Sequence, residues 1–220
     1  MNKQQAPITI IIADDHPVFR KGLREIISEQ KRFQVAAETG DGTIVVELVQ
    51  RLTPEVLLLD LNMPGASGLD VAASIQEREM QVHVIALTMH KEETIFNKAM
   101  DLGVRGYILK ESAVSDILGG IDAVAGGGYY ISPAISQYLM NRRARATSLL
   151  QEHPGLQDLS AAERRILTLI SRTKSSKEIS ELLFISVRTV ENHRMNISNK
   201  LNLRGSNSLL KFAIENKSYL

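Results

Sequence analysis

Val56-Leu57-Leu58-Leu59-Asp60-Leu61-Asn62-Met63-Pro64-Gly65 is the stretch on which the fold turns. Four apolar residues end in a carboxylate, and a Pro-Gly turn signal follows at once. A short apolar run bounded in this way reads as a strand buried on both faces, the habit of parallel sheets. In open α/β sheets, ligands bind just beyond the carboxyl ends of the strands. Asp60 therefore sits where such folds do chemistry: it can take a metal, accept a phosphoryl group, or cap the next helix.

Outward from this strand the chain alternates. Residues 8–13, 33–37, 82–87 and 106–109 are further strand-like apolar runs. Helical spacing appears over 16–29, 41–52, 69–76, 92–102 and 114–125, with Asp41 a plausible N-cap. Five βα units in succession predict an α/β domain, a doubly wound five-stranded parallel sheet with helices on both faces.

Gly126-Gly127-Gly128 stops the fifth helix, and residues 132–140 have room for one short helix. The polar, basic stretch 141–157, with Pro154-Gly155 near its end, reads as a linker. The tail is all helical. Ser160-Ala161-Ala162-Glu163 and Ser175-Ser176-Lys177-Glu178 both match the capping box. A third helix follows Ser186 as N-cap and runs to about Leu201, and a fourth covers roughly residues 206–214. The organisation is thus a sheet domain at 7–130, a linker with the short helix at 131–155, and a small all-α four-helix domain at 156–220.

Charge divides the same way. Residues 1–138 hold 12 basic and 18 acidic side chains, while residues 156–220 hold 11 basic and 6 acidic. An acidic front and a basic tail suggest different partners, the second being nucleic acid. With 44% apolar and 23% charged residues the composition is that of a soluble globular protein. Absence of cysteine excludes disulfides and thiolate chemistry. No run approaches the roughly 18 apolar residues of a membrane span, and the first seven residues lack an apolar signal core. These features point to the cytoplasm and to no membrane partner.

The strand ends carry the chemistry. Asp14 and Asp15 end the first strand as Asp60 ends the third, and such strands are neighbours in a doubly wound sheet. Three carboxylates in one crevice need a cation, and Mg²⁺ suits hard oxygen ligands. Thr88 ends the fourth strand and Lys110 follows the fifth. A carboxylate can accept a phosphoryl group as an acyl phosphate, provided the moving oxygens are neutralised. A metal at Asp14, Asp15 and Asp60 covers one side, Lys110 the other, and Thr88 can donate to a phosphoryl oxygen. A single Asp after a strand is most cheaply a turn residue. Convergence of all five is what favours function.

These residues resemble the receiver domain of two-component response regulators. The resemblance rests on Ala13-Asp14-Asp15-His16-Pro17, Leu59-Asp60-Leu61-Asn62-Met63-Pro64-Gly65, Leu87-Thr88-Met89-His90 and Gly106-Tyr107-Ile108-Leu109-Lys110. It implies the flavodoxin-like strand order 2-1-3-4-5 and Asp60 as phosphoacceptor. It implies Mg²⁺ at Asp15 and Asp60, at Asp14 through water, and at the Asn62 backbone carbonyl. Thr88 and Tyr107 fall on the switch pair, the ring swinging inward on phosphorylation. His16 has no chemical role in that family. Asn62 and His90 match positions that tune acyl-phosphate lifetime.

In the tail, Val187, Val190, Ile197 and Leu201 fall on one side of the third helix as a buried stripe. Arg188, Asn192, Met195 and Asn199 fall opposite, with Thr189 beside them. Two capped helices with a short turn make a helix-turn-helix, whose second helix enters the major groove of double-stranded DNA. Arg can read guanine and Asn adenine, while Lys177, Ser186 and Thr189 suit phosphates. The tail resembles the LuxR-type domain through Leu159-Ser160-Ala161-Ala162-Glu163-Arg164, Ser176-Lys177-Glu178-Ile179-Ser180 and Ser186-Val187-Arg188-Thr189-Val190-Glu191-Asn192-His193. With the receiver, the pairing resembles the NarL/FixJ class.

The class implies a transcription regulator phosphorylated at Asp60 by a sensor histidine kinase or a small phosphodonor, and a homodimer when active. Its last helix usually pairs the DNA-bound dimer, so Leu209, Leu210 and Phe212 are candidate contacts, with packing inside the domain an equal alternative. Two departures concern helix stops: Thr173 and Asn202 stand where the family has Gly. Thr173 implies an altered turn or strain, whereas Asn tolerates the left-handed conformation. The chain is not read as a turnover enzyme. An aspartate-nucleophile phosphatase usually needs a second acid two residues on, where Asn62 stands. The alternative is a DNA-binding regulator that ignores phosphorylation and uses its receiver to bind proteins.

Overall fold

The computed structural model describes residues 6–205 and 207–220. It divides into two compact units, residues 1–138 and 139–220.

The first unit is built on parallel strands β1 (Ile8–Ala13), β2 (Phe33–Thr39), β3 (Val56–Asp60), β4 (His83–Thr88), β5 (Gly106–Leu109) and β6 (Tyr130–Ile131). Their order is β2-β1-β3-β4-β5-β6, with all pairs parallel. The expected five-strand order is present, and a sixth strand extends it. Two residues after a triple glycine carry no apolar alternation, so β6 left no signal; Tyr130 and Ile131 pair beside Gly106 and Tyr107.

Every residue of β3 is buried, as a strand covered on both faces must be. On one face Ile10, Ile12, Leu58, Ile85 and Ile108 pack with Leu23 and Ile27 of α1 (Pro17–Ser28) and with Ile117 and Ile121 of α5 (Ala113–Ala125). The alternate residues Ile11, Leu57, Leu59 and Ala86 point the other way. The helices completing that layer are α2 (Val45–Leu52), α3 (Gly68–Glu77) and α4 (Glu93–Asp101), which bury Val49, Val71, Ile75 and Phe96. Asp41 does cap, its side chain accepting from Thr43 N at 2.8 Å. It opens a 3₁₀ turn, Gly42–Ile44, rather than α2 itself.

Two glycines set the loop after β3. Gly65 has φ +80°, and a Cβ on Gly68 would lie 2.2 Å from the Asp60 carbonyl oxygen. A side chain at Gly68 would push the start of α3 off the end of β3 and open the crevice.

The stretch expected to be linker is mostly helix: α6 spans Ser136–Glu152. Its polarity hid it, since Leu149 is its one buried residue. A helix with so narrow an apolar contact lacks the stripe by which helices are read from sequence.

The second unit holds α7 (Ala161–Ser171), α8 (Ser176–Leu183), α9 (Val187–Lys200) and α10 (Ser208–Glu215). Both capping boxes form, Ser160 with Glu163 and Ser175 with Glu178. The Ser175 backbone and side chain hold the Glu178 carboxyl down at about 2. The core gathers Leu156, Ile166, Ile170, Ile179, Val190, Ile197, Leu201, Leu209 and Phe212. The expected start of the last helix, Ser206, lies outside the described residues.

Candidate functional site

The carboxyl ends of β1, β3, β4 and β5 meet as expected. Lys110 Nζ lies 2.8 Å from Asp14 Oδ2 and 2.7 Å from Asp60 Oδ2. Asp14 and Asp60 are almost fully buried. Burial pushes the Asp60 carboxyl up, against the pull of Lys110 and of Asn62 N, which donates to Asp60 Oδ1 at 3.0 Å. Burial works to lower the Lys110 ammonium, but its close contacts with the Asp14 and Asp60 carboxylates outweigh that and raise it. The ammonium is thus held charged between two carboxylates, with the Phe19 ring 5.1 Å away.

Asp15 is half-buried beside this pair. His16 Nδ1 lies 2.6 Å from Asp15 Oδ1 and 4.0 Å from Asp60 Oδ2. One ligand atom each from Asp14, Asp15, His16 and Asp60 fits within 4.8 Å. Asp14 Oδ2 and Asp15 Oδ1 are buried and accept no well-formed hydrogen bond, although cationic or ring nitrogens stand close to both. Under-satisfied buried carboxylate oxygens are the donor set a hard divalent cation takes.

Around this centre, Thr88 and Tyr107 are fully buried. Thr88 Oγ1 accepts from His90 N at 3.0 Å. The Tyr107 hydroxyl donates to the His90 carbonyl at 3.2 Å, and burial pushes it up to about 12. Its ring meets Phe96 edge-on at 5.3 Å. The resemblance implies an inward swing of this ring on phosphorylation; in this structure the ring lies inside. Asn62 Nδ2 lies 2.9 Å from His90 Nε2, so these two residues close the rim together. One residue of this region had no signal in the sequence. Tyr138, in the supposed linker, donates its hydroxyl to the Lys91 carbonyl at 2.7 Å.

In the second unit, α8 and α9 are joined by Phe184-Ile185-Ser186, as a helix-turn-helix requires. Ser186 caps α9 by accepting from Thr189 N at 3.0 Å, and the two hydroxyls lie 2.8 Å apart. Arg188, Asn192, Met195 and Asn199 are exposed, as is Lys177. Val190, Ile197 and Leu201 are buried beneath them, but Val187 is 45% exposed. As the first residue of α9, Val187 precedes the turns that meet the core. Thr173 and Asn202 both adopt left-handed φ, +60° and +52°. Leu209 and Phe212 are each 6% exposed within the domain core, and only Leu210 of the three dimer candidates reaches the surface in part. Leu209 and Phe212 thus pack inside the domain.

This pairing of an acidic sheet-end crevice with a capped helix-turn-helix defines a class. The sequence matches the response regulator receiver domain over residues 10–122 and the bacterial regulatory proteins of the luxR family over residues 157–213. The chain belongs to the DNA-binding two-component response regulators of the NarL/FixJ class. It is 35% identical over 213 residues to the oxygen regulatory protein NreC of Staphylococcus carnosus, covering 94% of this chain and 97% of that one. It is 34% identical to the nitrate/nitrite response regulator protein NarP of Escherichia coli, covering 91% and 92%. Among solved structures it is similar to the response regulator RcsB in complex with DNA, at TM-score 0.57 and 25% identity over 94% of this chain and 97% of that one. Among the described residues, no helix is long and apolar enough to cross a membrane.

Proposed function

We propose that Asp60 accepts a phosphoryl group from a sensor histidine kinase or a small phosphodonor, and that the phosphorylated chain binds its DNA operator as a homodimer to regulate transcription. The observation that carries this reading is the Lys110 ammonium, 2.7 Å from Asp60 and 2.8 Å from Asp14 in a buried crevice. A structural Asp after a strand needs no buried ammonium, whereas a phosphoryl acceptor does.

An Asp60 carboxylate oxygen forms the new P–O bond while the bond to the donor's leaving atom breaks, giving an acyl phosphate. Lys110 neutralises the transferring oxygens on its side and the Thr88 hydroxyl donates to one of them. Asp14, Asp15, Asp60 and the Asn62 carbonyl would hold Mg²⁺, which supplies charge neutralisation on the opposite side. The chain is a switch whose acyl phosphate forms and decays, not a turnover enzyme. In the second unit, Arg188, Asn192, Met195 and Asn199 face base edges, and Lys177, Ser186 and Thr189 face phosphates. The capping bond of Ser186 leaves its hydroxyl oriented beside the first exposed turn of α9. Two-fold pairing fits operators built of two half-sites.

The test is a titration of the full chain onto a duplex enriched from a random pool, with and without beryllofluoride and Mg²⁺. Tighter binding with the mimic, lost in Asp60→Asn, supports the reading. Equal binding in all four cases overturns it in favour of a regulator that ignores phosphorylation.

A further inference from the structure

One loop holds two tyrosines. Its adjacent carbonyls, His90 O and Lys91 O, accept from the Tyr107 hydroxyl at 3.2 Å and from the Tyr138 hydroxyl at 2.7 Å. The loop is pinned to the strand end by the 3.0 Å bond from His90 N to Thr88 Oγ1. Phe96 lies between the rings, 5.3 Å from Tyr107 and 5.8 Å from Tyr138. Tyr138 stands in the first turn of α6, the helix that leads into the second unit.

Thr has a few discrete χ1 wells. In this structure Thr88 Oγ1 accepts from His90 N, and a χ1 rotation that turns the hydroxyl toward a phosphoryl group on Asp60 would carry Oγ1 off that bond. Tyr107 is already buried, so its burial cannot report the change. What remains free to respond is the loop that Thr88 pins, and with it the bond to Tyr138.

We infer that Tyr138 is the positioning residue through which phosphorylation reaches α6: its bond to the Lys91 carbonyl holds the first turn of α6 in the resting chain and is released when Thr88 turns to the phosphoryl group. This inference rests on the function proposed above and names its regulation. The loop has two arrangements, and the Tyr138 hydroxyl stabilises only the resting one. Any group that does so opposes both phosphorylation and output, by the same factor.

The test is Tyr138→Phe in the full chain, which deletes one hydroxyl and keeps the ring on Phe96. Two affinities are measured against wild type: for the enriched duplex without a phosphate mimic, and for beryllofluoride with Mg²⁺. Both are expected to tighten by about fivefold, the worth of one ordinary hydrogen bond. DNA affinity with beryllofluoride bound is expected to match wild type. A Tyr138→Phe chain that is less stable to heat but has unchanged affinities overturns the inference, while the wild-type response to the mimic leaves the function standing. A wild type whose DNA affinity does not respond to beryllofluoride overturns both.

Discussion

Lys110 Nζ stands 2.7 Å from Asp60 Oδ2, on a side chain only 9% exposed. The same ammonium reaches Asp14, so one cation serves two buried carboxylates. Removing it leaves both uncompensated, which is where breaking a buried pair becomes costly. Lys110→Ala is expected to lose about 3 kcal/mol of stability without divalent metal, read as a urea midpoint. Mg²⁺ should restore much of that, and isothermal titration should show tighter Mg²⁺ binding than wild type, since the competing cation is gone.

Glu163 makes the second unit sensitive to acid. Lys200 Nζ lies 2.7 Å from Glu163 Oε2, and together with the Ser160 cap it holds this buried carboxyl below the usual range. A depressed folded pKa means the stabilisation is complete above the unfolded carboxyl value of about 4.3. It is lost as pH falls through the lower folded value. Thermal melts of Glu163→Gln should be less stable than wild type at neutral pH and should converge with it as pH drops below about 4.

Thr173 pays for its place in the chain. Its φ of +60° is a left-handed conformation that a β-branched residue rarely adopts. Thr173 N bonds Ile170 O and Lys174 N bonds Leu169 O, so the stop itself is well formed. Thr173→Gly keeps that stop and removes the strain, and should stabilise the chain by about 1 kcal/mol. A lower urea midpoint for this variant would contradict the strain argument.

Arg188 and Lys177 are expected to fail differently. Both are exposed, Arg188 on the face of α9 and Lys177 on α8. Lys177→Ala should weaken all duplexes alike and reduce the slope of log K against log salt by about one. Arg188→Ala should cost about 1–3 kcal/mol on the selected duplex and relax preference at one base position. Binding measured over two or three salt concentrations on matched and single-substituted duplexes separates the two.

The site was legible because topology does the work. Asp14, Asp15, Asp60, Thr88 and Lys110 are far apart in the chain, but each follows a strand, and parallel crossovers bring those ends to one rim. The caps at Ser160, Ser175 and Ser186 were legible for a local reason: each bond spans three residues. Strand β6 was not, because two residues carry no periodicity and pair only where Gly106 and Tyr107 offer an edge. Helix α6 was not, because one buried leucine in 17 residues gives no stripe.

By itself, then, the sequence determined the doubly wound sheet, the convergent acidic site with its lysine and threonine, and the capped helix-turn-helix with its polar exposed face. Those follow from short-range patterns and from the handedness of connections. Only the tertiary structure decided which apolar residues are spent on the core. It buried Leu209 and Phe212 inside the domain, left Val187 half exposed, and placed the Tyr107 ring inside from the outset. It also put the Tyr138 hydroxyl on the Lys91 carbonyl, 47 residues away. A helical wheel gives the direction of a side chain but not what stands opposite it. That partner is chosen by the packing of distant segments, which no local pattern encodes.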